Sequence, residues 1–161
     1  MGRWGDTVRK WGRRPRRAGV AVAVVLVAGC SPDAPTATPP RACTLGPGAV
    51  QRALDAAPGA VRLERTPLSR CLTRRSDPAD IQAVGSTYLA VAGDLAERAR
   101  AEPEGAAALR LGYLIAAARR GASGTQGIHT EMLRRLEQEL TIVDTGSAAF
   151  RRGERAGRLT G

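Results

Sequence analysis

His129 is the only histidine in this 161-residue chain, and histidine is the residue type best suited to proton transfer near neutral pH. A histidine acts as the general base of a hydrolase when a nucleophile and an orienting carboxylate converge on it from different elements. Ser123 and Thr125 precede it closely in the chain, but no catalytic motif surrounds the three. A structural role for His129 is the simpler reading. The loop Gly121-x-x-Gly124-x-x-Gly127 stands before a helix, where free N–H groups attract anions. It lacks the Gly-Lys-Ser/Thr ending of a nucleotide-binding loop and no strand leads into it, so it reads as a helix connection. The acids are spread along helix faces, without the spacing that a metal or glycoside hydrolysis requires. Nothing in the pattern asks for a cofactor.

Arginine offers the remaining chemistry, with 24 Arg against the single Lys10. Arg62, Arg65, Arg70, Arg74 and Arg75 face only Glu64 between positions 61 and 76. Arg151, Arg152, Arg155 and Arg158 likewise face only Glu154. Such patches suit lipid headgroups or anionic polymers, although solvated surface charge explains them as simply. The net charge of +10 is no nucleic-acid signature. Residues 1–29 hold seven basic side chains against Asp6, while the rest holds 18 arginines against 14 acids. Both Trp4 and Trp11 lie in that first segment, leaving Tyr88, Tyr113 and Phe150 as the later aromatics. That is a poor inventory for stacking on sugars or bases, so carbohydrate and nucleic-acid partners are disfavoured.

The first segment carries information of another kind. Behind its basic residues run twelve uncharged, mostly apolar ones, Ala18 to Gly29, followed by Cys30. Twelve is too few to cross a hydrocarbon core, which needs about 20 helical residues. It suits the apolar region of a signal peptide. Val27-Ala28-Gly29-Cys30 resembles the lipobox of bacterial membrane lipoproteins, an aliphatic residue and two small ones ahead of cysteine. The resemblance covers Arg13 to Cys30, and the rest of the chain resembles no named family. It implies export, removal of residues 1–29, diacylglycerol on the Cys30 sulfur and a place on the outer face of the cell membrane. Acyl chains contribute about 0.8 kcal/mol per buried CH₂, enough for stable attachment without a spanning helix when two or more are present.

Four prolines and no large apolar residue mark Ser31 to Pro40 as an extended tether. At about 3.1 Å per residue, the stretch 30–42 reaches roughly 35 Å from the bilayer. Cys43 and Cys71 then form an even pair in an exported chain, where disulfides persist. Two free thiols or a metal site are the competing readings. A lone histidine and the lack of any Cys-x-x-Cys speak against structural zinc.

The elements that must position these groups read as all-α: a small antiparallel bundle of three long helices plus short ones, over residues 43–150. Val50 and Leu54 share a face of a short helix between Gly46 and Ala57, while Val61 to Pro67 is ambiguous. Asp77 and Pro78 open the first long helix, and Ile81, Val84, Tyr88, Val91, Leu95 and Ala99 recur at gaps of three and four. Pro103 opens the second, which is apolar around much of its circumference and so central. The third runs from Ile128 to Val143, and Ser147 caps a short helix bearing Phe150. The glycine-rich, basic stretch 151–161 is expected to be a flexible tail. The whole describes a lipid-anchored extracytoplasmic module, non-enzymatic, that binds an envelope protein or an anionic envelope polymer. The alternative is a small envelope hydrolase using His129.

Overall fold

A computed structural model describes residues 38–73 and 76–161. The signal segment, Cys30, most of the tether, Arg74 and Arg75 lie outside the described residues. Five α-helices follow one another: α1 (Pro47–Leu54), α2 (Pro78–Ala101), α3 (Ala106–Gly121), α4 (Ile128–Gln138) and α5 (Ala148–Thr160). The fold is an all-α bundle. Its one sheet among the described residues is a hairpin of two-residue strands, β1 (Arg62–Leu63) and β2 (Thr66–Pro67), with Leu63 opposite Thr66.

Helix α2 forms where its local signals place it. The Asp77 carboxylate accepts the Ala79 N–H at 2.8 Å, Pro78 occupies the first turn, and Asp80 meets the positive end of the dipole. All six residues of its apolar stripe, Ile81 to Ala99, are buried. Helix α3 is buried from Leu111 through Ala118 without interruption, as its apolar circumference requires. It begins three residues later than Pro103 suggests, because Pro103 and Glu104 form the turn and Gly105 is the N-terminal cap. The residue before a proline is pushed out of the helical region, and Glu102 adopts φ −136°, ψ 81°. Helix α4 is shorter than expected. It ends at Gln138 and tightens into a 3-10 turn, Glu139–Ile142, where β-branched Thr141, Ile142 and Val143 disfavour another α-turn.

The largest departure is the C-terminal stretch. Residues 151–161 are no flexible tail: they continue α5 to Thr160, and Gly161 is buried. The glycines that suggested fraying recur every four residues, so Gly153, Gly157 and Gly161 share one face, and that face lies directly on α3. A methyl group on Gly153 would overlap the Leu109 carbonyl oxygen and stand 2.7 Å from its carbon. One on Gly112 of α3 would overlap the Phe150 carbonyl of α5. The two backbones touch. Contacts of Leu109 with Gly153, Tyr113 with Gly157 and Ala117 with Gly161 show that the pair runs parallel. Both ends of α5 are also satisfied. Ser147 Oγ accepts the Phe150 N–H, and Glu104 accepts those of Ala148 and Ala149 at 3.0 Å each. At the other end, Arg120 donates to the Arg158 and Leu159 carbonyls at 3.1 and 2.9 Å.

Direction alternates along the chain, as an up-and-down bundle demands. Met132 of α4 and Glu139 of the 3-10 turn that follows it approach Gly85 and Gly93 of α2, so those two helices also run parallel. The most intimate pair, α3 with α5, is of alternate helices, α2 packs on both α3 and α4, and the long helices are α2, α3 and α5.

The segment before α2 is held by two buried phenols. The Tyr88 hydroxyl donates to the Leu68 carbonyl at 2.8 Å, and the Val61 N–H donates to the Tyr113 hydroxyl oxygen at 3.0 Å. Burial pushes the Tyr88 phenol well above its ordinary pKa, so it remains a donor. Tyr88→Phe keeps the ring but leaves the buried Leu68 carbonyl without this donor. We expect a loss of about 1–3 kcal/mol, read as a lower denaturant midpoint at unchanged slope.

Candidate functional site

Arginines from both runs of the sequence lie toward one end of the bundle, Arg62, Arg65 and Arg70 from the first and Arg158 from the second, whereas Arg151 and Arg152 stand at the other end of α5. Arg62 and Arg65 are exposed on the β1–β2 hairpin, and the Arg62 guanidinium donates to the Arg65 carbonyl at 3.2 Å. Strand β2 leads straight into a 3-10 turn, Leu68–Leu72, that carries exposed Arg70 and buried Cys71. This turn is seated against the C-terminal ends of both α3 and α5. Ser69 Oγ donates to the Gly161 oxygen at 2.7 Å, and the Ser69 carbonyl lies so close to Gly121 that no Cβ fits between them. Arg119, Arg120 and Arg158 project from those same helix ends and are all exposed.

The amino-terminal entry to the domain reaches the same place. Cys43 and Cys71 have Cα atoms 5.5 Å apart, at disulfide distance, and both are buried. Exposed Arg41 stands two residues before Cys43. Among the described residues, the side chains of Arg41, Arg65 and Arg70 make neither a hydrogen bond nor an ion pair. Arg119 and Arg158 behave otherwise: Arg119 bridges Glu137 and Glu154 at 2.9 and 3.1 Å, and Arg158 reaches Glu154 at 3.1 Å. The expected anion contacts Arg62, Arg65 and Arg70 are thus exposed together, and α3 and α5 add arginines to them.

His129 lies in the first turn of α4 and is buried. Its Nε2 has no hydrogen-bond partner among the described residues, so neither a serine nor a carboxylate engages that atom. Thr125 Oγ1 instead donates to the Ala122 carbonyl within the connecting loop. No group of three His, Cys, Asp or Glu among the described residues is placed to hold a metal. No helix among them is long and apolar enough to cross a membrane.

A second concavity lies between α2 and α4, floored by Ile81, Gly85, Leu89 and Met132 and edged by Glu131 and Arg135. The missing side chain at Gly85 makes room for Met132, whose Cγ would be 2.9 Å from a Cβ there. At the rim, hydrogen bonds from Arg134 and then Arg135 hold the Glu131 carboxyl down at about 2. The i,i+4 pair Glu131–Arg135 forms at 2.8 Å, with Arg134 joining it at 2.8 Å. These exposed pairs are worth little to stability.

No protein-family model, curated protein or solved structure matches this chain.

Proposed function

We propose that this protein is a lipid-anchored, extracytoplasmic helical module that acts by binding and not by catalysis. The observation that carries the reading is the order basic flank, apolar run, small residues and cysteine, ending in Val27-Ala28-Gly29-Cys30. Two further features support it. A cysteine pair at disulfide distance suits an oxidising compartment, and exposed, unpaired arginines suit anionic partners. The competing reading, a small envelope hydrolase, draws on the unpartnered Nε2 of His129. Its burial argues for packing.

Expression of Cys30→Ala beside the parent chain in a lipoprotein-processing bacterium tests the anchor. The parent is expected in the membrane fraction, lacking residues 1–29 and carrying added lipid by intact mass. Cys30→Ala is expected to retain its signal segment and lose the acyl mass. Equal masses and processing for the two chains overturn the reading. His129→Ala, folded by circular dichroism, is expected to behave as the parent does. A phenotype equal to loss of the whole protein would favour the enzyme.

A further inference from the structure

Among the described residues, charge is distributed unevenly between the two ends of the bundle. Glu102 and Glu104 lie in the α2–α3 turn and Asp144 precedes α5, all at one end, where they are balanced by Arg98, Arg100, Arg151 and Arg152. At the opposite end, Arg41, Arg65, Arg70, Arg120 and Arg158 come from four separate stretches of chain. They are gathered there by the Cys43–Cys71 pair, the Ser69–Gly161 hydrogen bond and the Arg120 contacts to α5. Acids are present at this end too. Glu64 occupies the hairpin turn, Asp77 is engaged in capping α2, Asp80 follows it, and Glu154 is taken up by Arg119 and Arg158. Arg41, Arg65 and Arg70 keep guanidinium groups with no acid partner among the described residues.

We propose that this basic end is a membrane-docking surface for anionic phospholipid headgroups. The inference rests on the lipid-anchor reading for its orientation. The tether ends at Pro40, next to Arg41, and Cys43 fastens that point to the turn bearing Arg70. The end of the domain to which the tether attaches is therefore the end that carries Arg41, Arg65 and Arg70. A guanidinium suits this role because its planar fork donates two parallel hydrogen bonds to a phosphate. Attraction to a charged surface decays within a Debye length, about 8 Å at physiological salt. A reach of roughly 35 Å, read from the proline-rich sequence before Cys43, would allow a docked state at the headgroups and a released state beyond their field.

Vesicle co-sedimentation tests the docking without the anchor. The probe is the chain from position 30 with Cys30→Ser, which carries no lipid but retains residues 38–161 and with them the whole described core. Phosphatidylglycerol-rich vesicles are compared with pure phosphatidylcholine ones. We expect binding to the anionic vesicles only, weakening as salt is raised. The triple variant Arg41→Gln, Arg65→Gln, Arg70→Gln removes guanidinium groups that make no hydrogen bond or ion pair among the described residues. It is expected to bind about a hundredfold more weakly, at about fivefold per arginine. Arg98→Gln, Arg100→Gln, Arg151→Gln removes the same charge elsewhere and is expected to bind much as the parent does. Equal weakening of the two triples would show a response to net charge alone and overturn the site. No binding to anionic vesicles overturns docking, and binding to an isolated anionic wall polymer in its place assigns the surface to that polymer. Failure of the anchor reading shows separately, in the processing of Cys30→Ala, and leaves vesicle binding intact.

Discussion

Gly153→Ala is expected to destabilise the protein by about 3 kcal/mol, although alanine is the better helix former by about 1 kcal/mol. The sign is the test. In a solvated helix the substitution stabilises, because glycine loses more backbone entropy on folding. Here the new methyl group overlaps the Leu109 carbonyl oxygen and meets the Tyr113 nitrogen at 3.0 Å, and both are backbone atoms of a buried helix. Neither can turn aside, so α5 must lift from α3 or slide along it. Gly93→Ala in α2 is the matched comparison. Its methyl group would find only the Glu139 carboxylate, at 3.5 Å, an ordinary contact with a flexible side chain. It is expected to gain up to about 1 kcal/mol. Denaturant midpoints of the two variants should move in opposite directions, and amide exchange in Gly153→Ala should rise first along α5. A stabilised Gly153→Ala would contradict the backbone contact itself.

Helix α2 was legible in the sequence because everything that specifies it is local. A capping aspartate, a first-turn proline and a stripe at gaps of three and four all act within one segment. Helix α5 shows what such reading misses. Its glycines and arginines are weak helix formers or solvated groups when taken alone, and their composition resembles a frayed end. The spacing Gly153, Gly157, Gly161 did carry a signal, since glycines four apart share a helix face and permit close approach. Their counterpart, Leu109 to Tyr113, is far back in the chain and looks like any other apolar helix. Only the three-dimensional register joins them.

The basic end was legible in its parts and not as a whole. Arg62, Arg65 and Arg70 were marked as a local excess of charge, and the arginines of α5 as a second, unrelated one. Their meeting depends on α3 and α5 running parallel and ending together, and on the Ser69 turn seated across both ends. None of these is a property of a sequence window. The cysteine pair differs, because a bond expected between two cysteines constrains the fold without reference to periodicity.

Loss of that pair is the second large effect. Cys43→Ala with Cys71→Ala is expected to cost roughly 3.5 kcal/mol, the chain entropy released when a loop of this length is no longer closed. The sequence separation is 28 residues, and the loop holds α1, the hairpin and most of the Arg70 turn. In the fold, Val50, Leu54, Val61, Leu63, Leu68 and Leu72 are all buried, and Asp55 pairs with Arg110 at 2.9 Å. The double variant should therefore loosen without releasing the segment. Amide exchange is expected to accelerate most near residues 41–45 and 68–72, less in α1, and least in α2 and α3. Arg41 and Arg70 would then no longer be tied together, so vesicle binding by the unlipidated chain should also weaken. Uniform acceleration across all five helices would mean that the pair holds up the whole bundle rather than its tether end.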